Sequence, residues 1–236
     1  MFTETQATRS AIGIITGSGP EAGLDLWKKV LQANKDLLEG GYRGDLDAPN
    51  VSIMSVPELG LSMELQANNA KVWDALSVTA RSIADQTDYY AIACNTLNYY
   101  QPQLEELDLR SRLVSFSDVV IDMVKREGIK KVALLGAKPV TDLGDWSPYR
   151  KLVDVVEVEV PEDTADLHNL IYDVKIHGGD HANLRTRFSR LLGSLNADTV
   201  LLACTELPLI LVNSRKNLVD VTDLVAKQLA LRSLQG

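Results

Sequence analysis

The sequence is poor in cysteine, since its 236 residues contain only Cys94 and Cys204. Two cysteines are too few for a disulfide scaffold, and without a paired C-x-x-C motif they do not predict a zinc site. No apolar run approaches the ~18 residues that span a bilayer. The opening stretch MFTETQATRS lacks the basic start and apolar middle of a secretory signal. We therefore expect a cytoplasmic protein that no membrane holds.

Basic residues are also in deficit, because 24 lysines and arginines stand against 32 acidic residues and leave a formal net charge of −8. Such a surface repels nucleic acid and anionic membranes, so neither is expected as a partner. An acidic small molecule would be repelled too. A few local donors, or one or two placed Lys or Arg side chains, would have to outweigh that field.

Low-complexity tracts and long Gly/Ser linkers are absent, and the length suits one large α/β domain or two lobes of roughly 100 residues. Short runs rich in Val, Ile and Leu alternate with longer amphipathic segments, which predicts an α/β fold with mainly parallel sheets flanked by helices. The predicted strands are AIGIIT, VSIMSV, YYAIA, RLVSF, KVALLG, VVEVEV, TVLLA and NLVDV. Helices are predicted over 20–39, 68–87, 101–107, 117–127, 163–176, 181–195, 206–213 and 222–234.

The same pattern suggests a division into lobes. We predict an N-terminal α/β lobe over 1–112 and a C-terminal α/β lobe over 113–216, with 217–236 packing back on the first lobe. At the helix ends, Pro20 suits a first helical turn, and Gly128 and Gly178 suit C-terminal caps.

The stretch IITGSGPEAG places Gly17, Gly19 and Ala22 at the G-x-G-x-x-A spacing of a dinucleotide-binding turn. That motif also needs an acidic residue about twenty positions on, whereas Glu58 follows only after about forty, behind a proline. A dinucleotide is therefore disfavoured. The glycines would instead let the backbone approach a small carboxylate in front of a helix N-terminus.

A metal site could be assembled from His177 and His181, which are spaced four apart. The intervening sequence HGGDH contains two glycines and makes a poor helix. A polar loop between two helices is the favoured interpretation.

Two segments of the chain resemble each other: YYAIACNTLNYYQP (89–102) and TVLLACTELPLI (199–210). Each has an apolar strand followed by Ala-Cys, then small polar residues and a proline. Carboxyl ends of parallel strands are where ligands bind, so Cys94 and Cys204 are expected in one site. Three interpretations stay open. The thiols are buried core groups, or a disulfide, which a reducing cytosol disfavours, or a pair of acid–base residues.

The acid–base interpretation has a chemical rationale. A thiol beside a helix N-terminus is stabilised as thiolate, which predicts a pKa lowered from ~8.5 toward neutrality. Two such thiols facing each other can remove a proton from one face of a carbon and deliver one to the other face, which is racemisation. Asn95, Thr96 and Thr205 beside them would donate to the substrate carboxylate as negative charge spreads into it.

Taken together, GIITGSGPEA, ACNT, ACTELP, DLDAPN (45–50) and IYDVKIHG (171–178) resemble, in order, the motifs of the cofactor-independent aspartate/glutamate racemases, and more closely the aspartate racemases. The resemblance implies two similar lobes related by a pseudo-twofold axis, a site between them, no PLP or metal, and a homodimer. It also implies an acidic amino acid as substrate. The residue roles it implies are acid and base for Cys94 and Cys204, carboxylate or amino-group binding for Asn95, Thr96 and Thr205, cleft lining for Ser18 and Gly19, and a distal-carboxylate contact for Lys175.

The chain departs from that pattern in several places. Ser18 stands where the family usually has Met, Asn98 where it tends to have His, and Ala137 where it has a hydroxyl. Two alternatives therefore stay open beside an acidic amino-acid racemase. One is another enzyme of this superfamily, of the maleate isomerase or hydantoin racemase type, and the other is a non-catalytic protein that binds an amino acid.

Overall fold

The computed structural model describes residues 9–235 and alternates strands and helices throughout. The strands are β1 (Ile12–Thr16), β2 (Val51–Ser55), β3 (Tyr89–Ile92), β4 (Arg112–Leu113), β5 (Lys131–Leu135), β6 (Glu157–Glu159), β7 (Thr199–Leu202) and β8 (Asn217–Asp220). The helices are α1 (Pro20–Leu37), α2 (Leu65–Ala84), α3 (Gln101–Glu106), α4 (Phe116–Glu127), α5 (Lys138–Thr141), α6 (Thr164–His177), α7 (Ala182–Ser194) and α8 (Val221–Ser233). Stretches of 3₁₀ helix cover Asp45–Asp47, Pro57–Glu64, Thr96–Tyr100, Leu152–Asp154 and Leu207–Leu209.

Within the described range the strands form two four-stranded parallel sheets, in the orders β2-β1-β3-β4 and β6-β5-β7-β8. The central strands of both sheets are buried, as expected when helices cover the two faces of a parallel sheet. The second half of the chain repeats the strand order of the first, as a pseudo-twofold relation requires. The predicted α/β class with two similar, helix-flanked sheets is confirmed.

Most predicted elements are present, and the differences have local causes. All eight predicted strands form within the described residues. Pro20 opens α1, and Gly128 ends α4 in the left-handed conformation at φ 65°. The helix predicted over 206–213 is wrong, because the chain makes only the 3₁₀ turn Leu207–Leu209 before Ile210 turns extended. The sequence patterns also missed α5 and the long 3₁₀ helix Pro57–Glu64.

The two sheets share one hydrophobic core. Ile14 of β1 and Leu134 of β5 belong to the same buried cluster as Val225 of α8. Helix α8 packs against α1, where Lys29 forms ion pairs with Asp25 and with Asp220, the N-cap of α8. The lobe boundaries themselves stay a prediction. Among residues 9–235, none of the helices has the length and apolar character needed to cross a bilayer.

Candidate active site

The two cysteines occupy equivalent places in the two sheets. Cys94 lies two residues beyond β3 and Cys204 two residues beyond β7. Both are free thiols, with 8% and 7% of their surface exposed. Because β1 runs parallel to β3, the glycine turn that follows β1 comes to the same edge of its sheet as Cys94.

Cys94 is surrounded by hydroxyl groups. Its Sγ–H donates to Ser18 Oγ at 3.4 Å, and Ser62 Oγ lies 3.7 Å from the sulfur. The two serine hydroxyls are themselves hydrogen-bonded at 2.7 Å, and both serines are buried. Ser18 therefore gives Cys94 a polar neighbour.

Cys204 lies against a carboxylate instead. Its Sγ–H donates to Glu206 Oε2 at 3.0 Å, and Thr205 Oγ1 donates to the same oxygen at 3.1 Å. The other carboxylate oxygen, Oε1, accepts a short hydrogen bond from Lys175 Nζ. Glu206 is buried at 4% exposure, so its charge is balanced by Lys175 within the site.

The pKa of the Cys204 thiol corrects the expectation that helix N-termini lower it. Burial, together with the negative charge of Glu206, raises this pKa well above its ordinary value, and the nearby Lys175 offsets only part of the rise. The element after Cys204 is one 3₁₀ turn, which offers little dipole to oppose desolvation. The direction of this shift favours the neutral thiol of Cys204 over the thiolate.

Lys175 connects the two cysteine environments. Its Nζ donates to the carbonyl oxygen of Ser18 at 3.3 Å as well as to Glu206. Burial disfavours its charge, yet Glu206 and the sulfurs of Cys204 and Cys94 raise its pKa above the ordinary value. The ammonium thus remains charged within electrostatic range of both thiols.

Gly19 keeps this region open. Its φ is +98°, and a Cβ at this position would lie 2.3 Å from Glu206 Oε1 and 3.0 Å from Lys175 Nζ. A side chain here would displace the ion pair. The glycine turn that follows β1 therefore lies directly against the ion pair of Lys175 and Glu206.

The polar residues after Cys94 divide into two groups. Asn95 and Thr96 follow Cys94 directly in the chain, and both are buried. Asn95 Oδ1 accepts a hydrogen bond from Tyr149 Oη at 2.5 Å. Asn98 instead binds the backbone: its Nδ2 donates to the carbonyl oxygen of Cys94 at 3.0 Å, and its Oδ1 accepts from the N–H of Phe116 at 2.9 Å. Asn98 therefore holds the strand end against the first residue of α4.

We expect Asn98→Ala to destabilise the fold by about 1–3 kcal/mol, because the buried N–H of Phe116 and the carbonyl of Cys94 lose their partner. Urea denaturation monitored by circular dichroism measures the change.

A matched control is Asn196→Ala, since the exposed Asn196 amide also donates to an acceptor, Glu159 Oε1 at 3.1 Å. That variant should change the free energy of unfolding by no more than about 0.5 kcal/mol. Equal losses in the two variants would contradict the structural role of Asn98.

The histidine pair does not form part of this site. Helix α6 ends at His177 and α7 begins after His181, so the predicted polar loop between two helices is confirmed. Their rings lie 5.4 Å apart between centroids. Among the described residues, no group of three or more His, Cys, Asp or Glu side chains is arranged to hold a metal ion.

Three residues that sequence patterns did not single out contribute to the site: Ser62, Tyr149 and Glu206. Glu206 had a signal, because it is an acidic side chain two positions after a strand-end cysteine. Ser62 and Tyr149 had none, since they come from the 3₁₀ helix Pro57–Glu64 and from the loop after α5.

The site is closed around the thiols, and a cavity of about 660 Å³ lies beside it. The walls of the cavity come from Met63 and Glu64 on one side and from α5 and His168 of α6 on the other. Tyr172 of α6 donates a short hydrogen bond to Glu64, which lies in the cavity wall. His168, Tyr172 and Lys175 share one face of α6. His168 lines the cavity, and Lys175 contacts Glu206.

Comparison with known families and structures agrees with this architecture. A family model described as Asp/Glu/Hydantoin racemase matches residues 15–229. A comparison with curated protein sequences gave no match.

Solved structures share the fold at low identity. A candidate Asp/Glu racemase from Yersinia pestis is 22% identical, with a TM-score of 0.77 over 96% of this chain and 100% of that one. The aspartate racemase of Picrophilus torridus is 22% identical, with a TM-score of 0.70 over 93% and 92%. A glutamate racemase of Francisella tularensis in complex with D-glutamate is 14% identical, with a TM-score of 0.62 over 94% and 80%.

Proposed function

We propose that this chain, which belongs to the Asp/Glu/Hydantoin racemase family, interconverts the enantiomers of aspartate, glutamate or a close acidic relative by proton transfer through Cys94 and Cys204. Family membership makes it an isomerase of the racemase type that acts on a small amino-acid substrate. The acidic substrate and the two-cysteine mechanism are the proposal.

The single observation that carries the mechanism is the pair of buried thiols at equivalent strand ends, with one cation in electrostatic range of both. Both thiols also border hydrophobic clusters, so burial alone does not distinguish them from core groups. Here Cys94 contacts two serine hydroxyls, and Cys204 contacts a carboxylate. Polar contacts of this kind favour proton transfer over simple packing.

The proposed reaction moves two protons in opposite senses. For this direction the thiol of Cys94 first loses its proton to solvent, and the thiolate then takes the α-proton from one face of the substrate. The electron pair left on carbon spreads into the carboxylate, and the thiol of Cys204 protonates the other face. Cys94 then carries a proton and Cys204 a negative charge, which is the state required for the reverse direction. Before the transfer, Glu206 accepts the hydrogen bond of the Cys204 S–H group and so contacts the proton that Cys204 delivers.

Substrate binding uses the groups around the thiols. Asn95, Thr96 and Thr205 lie next to the cysteines and would contact the α-carboxylate or amino group, while Ser18 and Gly19 line the cleft. Lys175 would exchange part of its contact with Glu206 for a distal carboxylate. The homodimer that the resemblance implies stays a prediction.

Incubation of each enantiomer in heavy water tests the proposal. In a two-base racemase the thiol that protonates the product carries deuterium taken up from the solvent. Deuterium should therefore appear at the α-carbon of the product well before it appears in recovered substrate. Proton NMR of the separated enantiomers, taken at low conversion, measures both.

The panel should include aspartate, glutamate, neutral amino acids and a 5-substituted hydantoin. Exchange confined to the hydantoin would contradict the acidic substrate while keeping the isomerase chemistry. Equal rates of deuterium entry into product and recovered substrate would contradict the two-base mechanism.

A further inference from the structure

Tyr149 reaches into the site from the second half of the chain. Its side chain is completely buried, and its hydroxyl donates to Asn95 Oδ1 at 2.5 Å. Ser147 holds the backbone of Tyr149 against that of Val140. Its Oγ accepts a hydrogen bond from the N–H of Tyr149 at 3.1 Å and donates one to the carbonyl of Val140 at 2.8 Å. Burial raises the pKa of Tyr149, so the hydroxyl keeps its proton and serves as donor.

That hydrogen bond determines which group of the Asn95 carboxamide is left for another partner. The carboxamide oxygen is occupied by Tyr149, and the Nδ2 amino group is buried without a hydrogen-bond partner among the described residues. An unpaired buried donor is costly, so a native one calls for an explanation. A bound acceptor beside Cys94 supplies one.

We propose that Tyr149 is a positioning residue that orients the Asn95 amide so that its N–H groups face the substrate's α-carboxylate. This inference rests on the proposed function and narrows it, because an amide held in this way presents a donor and cannot serve the substrate's ammonium group. Asn95 therefore belongs to the carboxylate side of the substrate.

The position matters for rate as well as for binding. Negative charge grows on the carboxylate when the α-proton leaves, so a donor fixed in place stabilises the transition state more than the ground state. Without the tyrosine hydroxyl, the amide is free to turn its oxygen toward the carboxylate, which is repulsive.

The test is Tyr149→Phe, which keeps the buried ring and removes only the hydroxyl. We expect kcat/KM to fall about 10- to 100-fold, mostly in kcat, as for loss of a hydrogen bond to a charged group. Asn95→Ala and the double variant complete a cycle. If Tyr149 acts through Asn95, the double variant is no slower than Asn95→Ala alone.

Tyr100→Phe is the matched control, because the Tyr100 hydroxyl also bonds to an asparagine, Asn69 Oδ1 at 2.8 Å, on α2. It should lower thermal stability and leave kcat unchanged. A purely structural role for Tyr149 would make its variant resemble this control, or give additive losses in the cycle, and either result overturns the inference.

Calorimetric binding separates this inference from the proposed function. The protein should bind aspartate at least about tenfold more tightly than its α-carboxamide, and Tyr149→Phe should reduce that preference toward unity. Persistence of this pattern without racemisation would refute the catalytic proposal and support the role of Tyr149. An unchanged preference in the variant would overturn that role even in an active racemase.

Discussion

Cys94→Ala and Cys204→Ala should each reduce racemisation by roughly 10²–10⁴-fold, the usual contribution of a positioned acid or base. Each variant keeps one thiol, which can still remove an α-proton from the enantiomer that faces it. With no partner on the opposite face, the thiol exchanges its proton with solvent and returns a solvent proton to the side from which the α-proton was taken. We therefore expect exchange of the α-proton without inversion.

The two variants should be selective for opposite enantiomers. Proton NMR in heavy water follows loss of the α-proton signal, and chiral chromatography follows inversion in the same samples. Thermal denaturation of both variants verifies that the fold is retained, since alanine removes only one small buried atom from each position.

Two results would contradict the two-cysteine mechanism. One is turnover at the original rate in both alanine variants. The other is exchange of the same enantiomer by both, since the thiols would then not address opposite faces of the α-carbon.

Lys175→Met should destabilise the fold by about 3 kcal/mol or more, because it leaves the carboxylate of Glu206 buried without its counter-ion. It should also lower kcat/KM for an acidic substrate at least about tenfold, the size of a lost charge-assisted hydrogen bond. The pKa of Cys204 should rise further, because the positive charge of Lys175 lowers it. Urea denaturation and steady-state kinetics measure the first two effects.

Two further variants define the origin of these losses. Lys175→Met combined with Glu206→Gln removes both charges and should recover most of the stability but none of the activity. Lys227→Met breaks an exposed ion pair with Asp223 and should cost less than about 1 kcal/mol. A Lys175 variant as stable as the Lys227 variant would show that the site pair is not a buried structural contact.

The chemistry-bearing residues were predictable where the signal is local. Cys94 and Cys204 each come directly after an apolar strand and an alanine. The few residues before each cysteine are enough to recognise that strand. Residues far apart in sequence behaved differently. Ser62 and Tyr149 reach the site by hydrogen bonds to Ser18, 44 positions away, and to Asn95, 54 positions away.

The electrostatics show the same division. A local rule predicted that a helix N-terminus would lower the pKa of the strand-end thiols. For Cys204 the rule was wrong, since the desolvation that raises its pKa comes from the surrounding fold and from Glu206.

The sequence by itself determined the α/β class, the eight strands among the described residues and the equivalent strand-end positions of the two cysteines, because alternation of apolar residues and strand-end motifs is a short-range property. Only the tertiary structure decided the direction of the Cys204 pKa shift, the ion pair of Lys175 with Glu206, and the hydrogen bond from Tyr149 to Asn95. These depend on desolvation and on contacts between distant segments, which exist only once both sheets have packed on their common core.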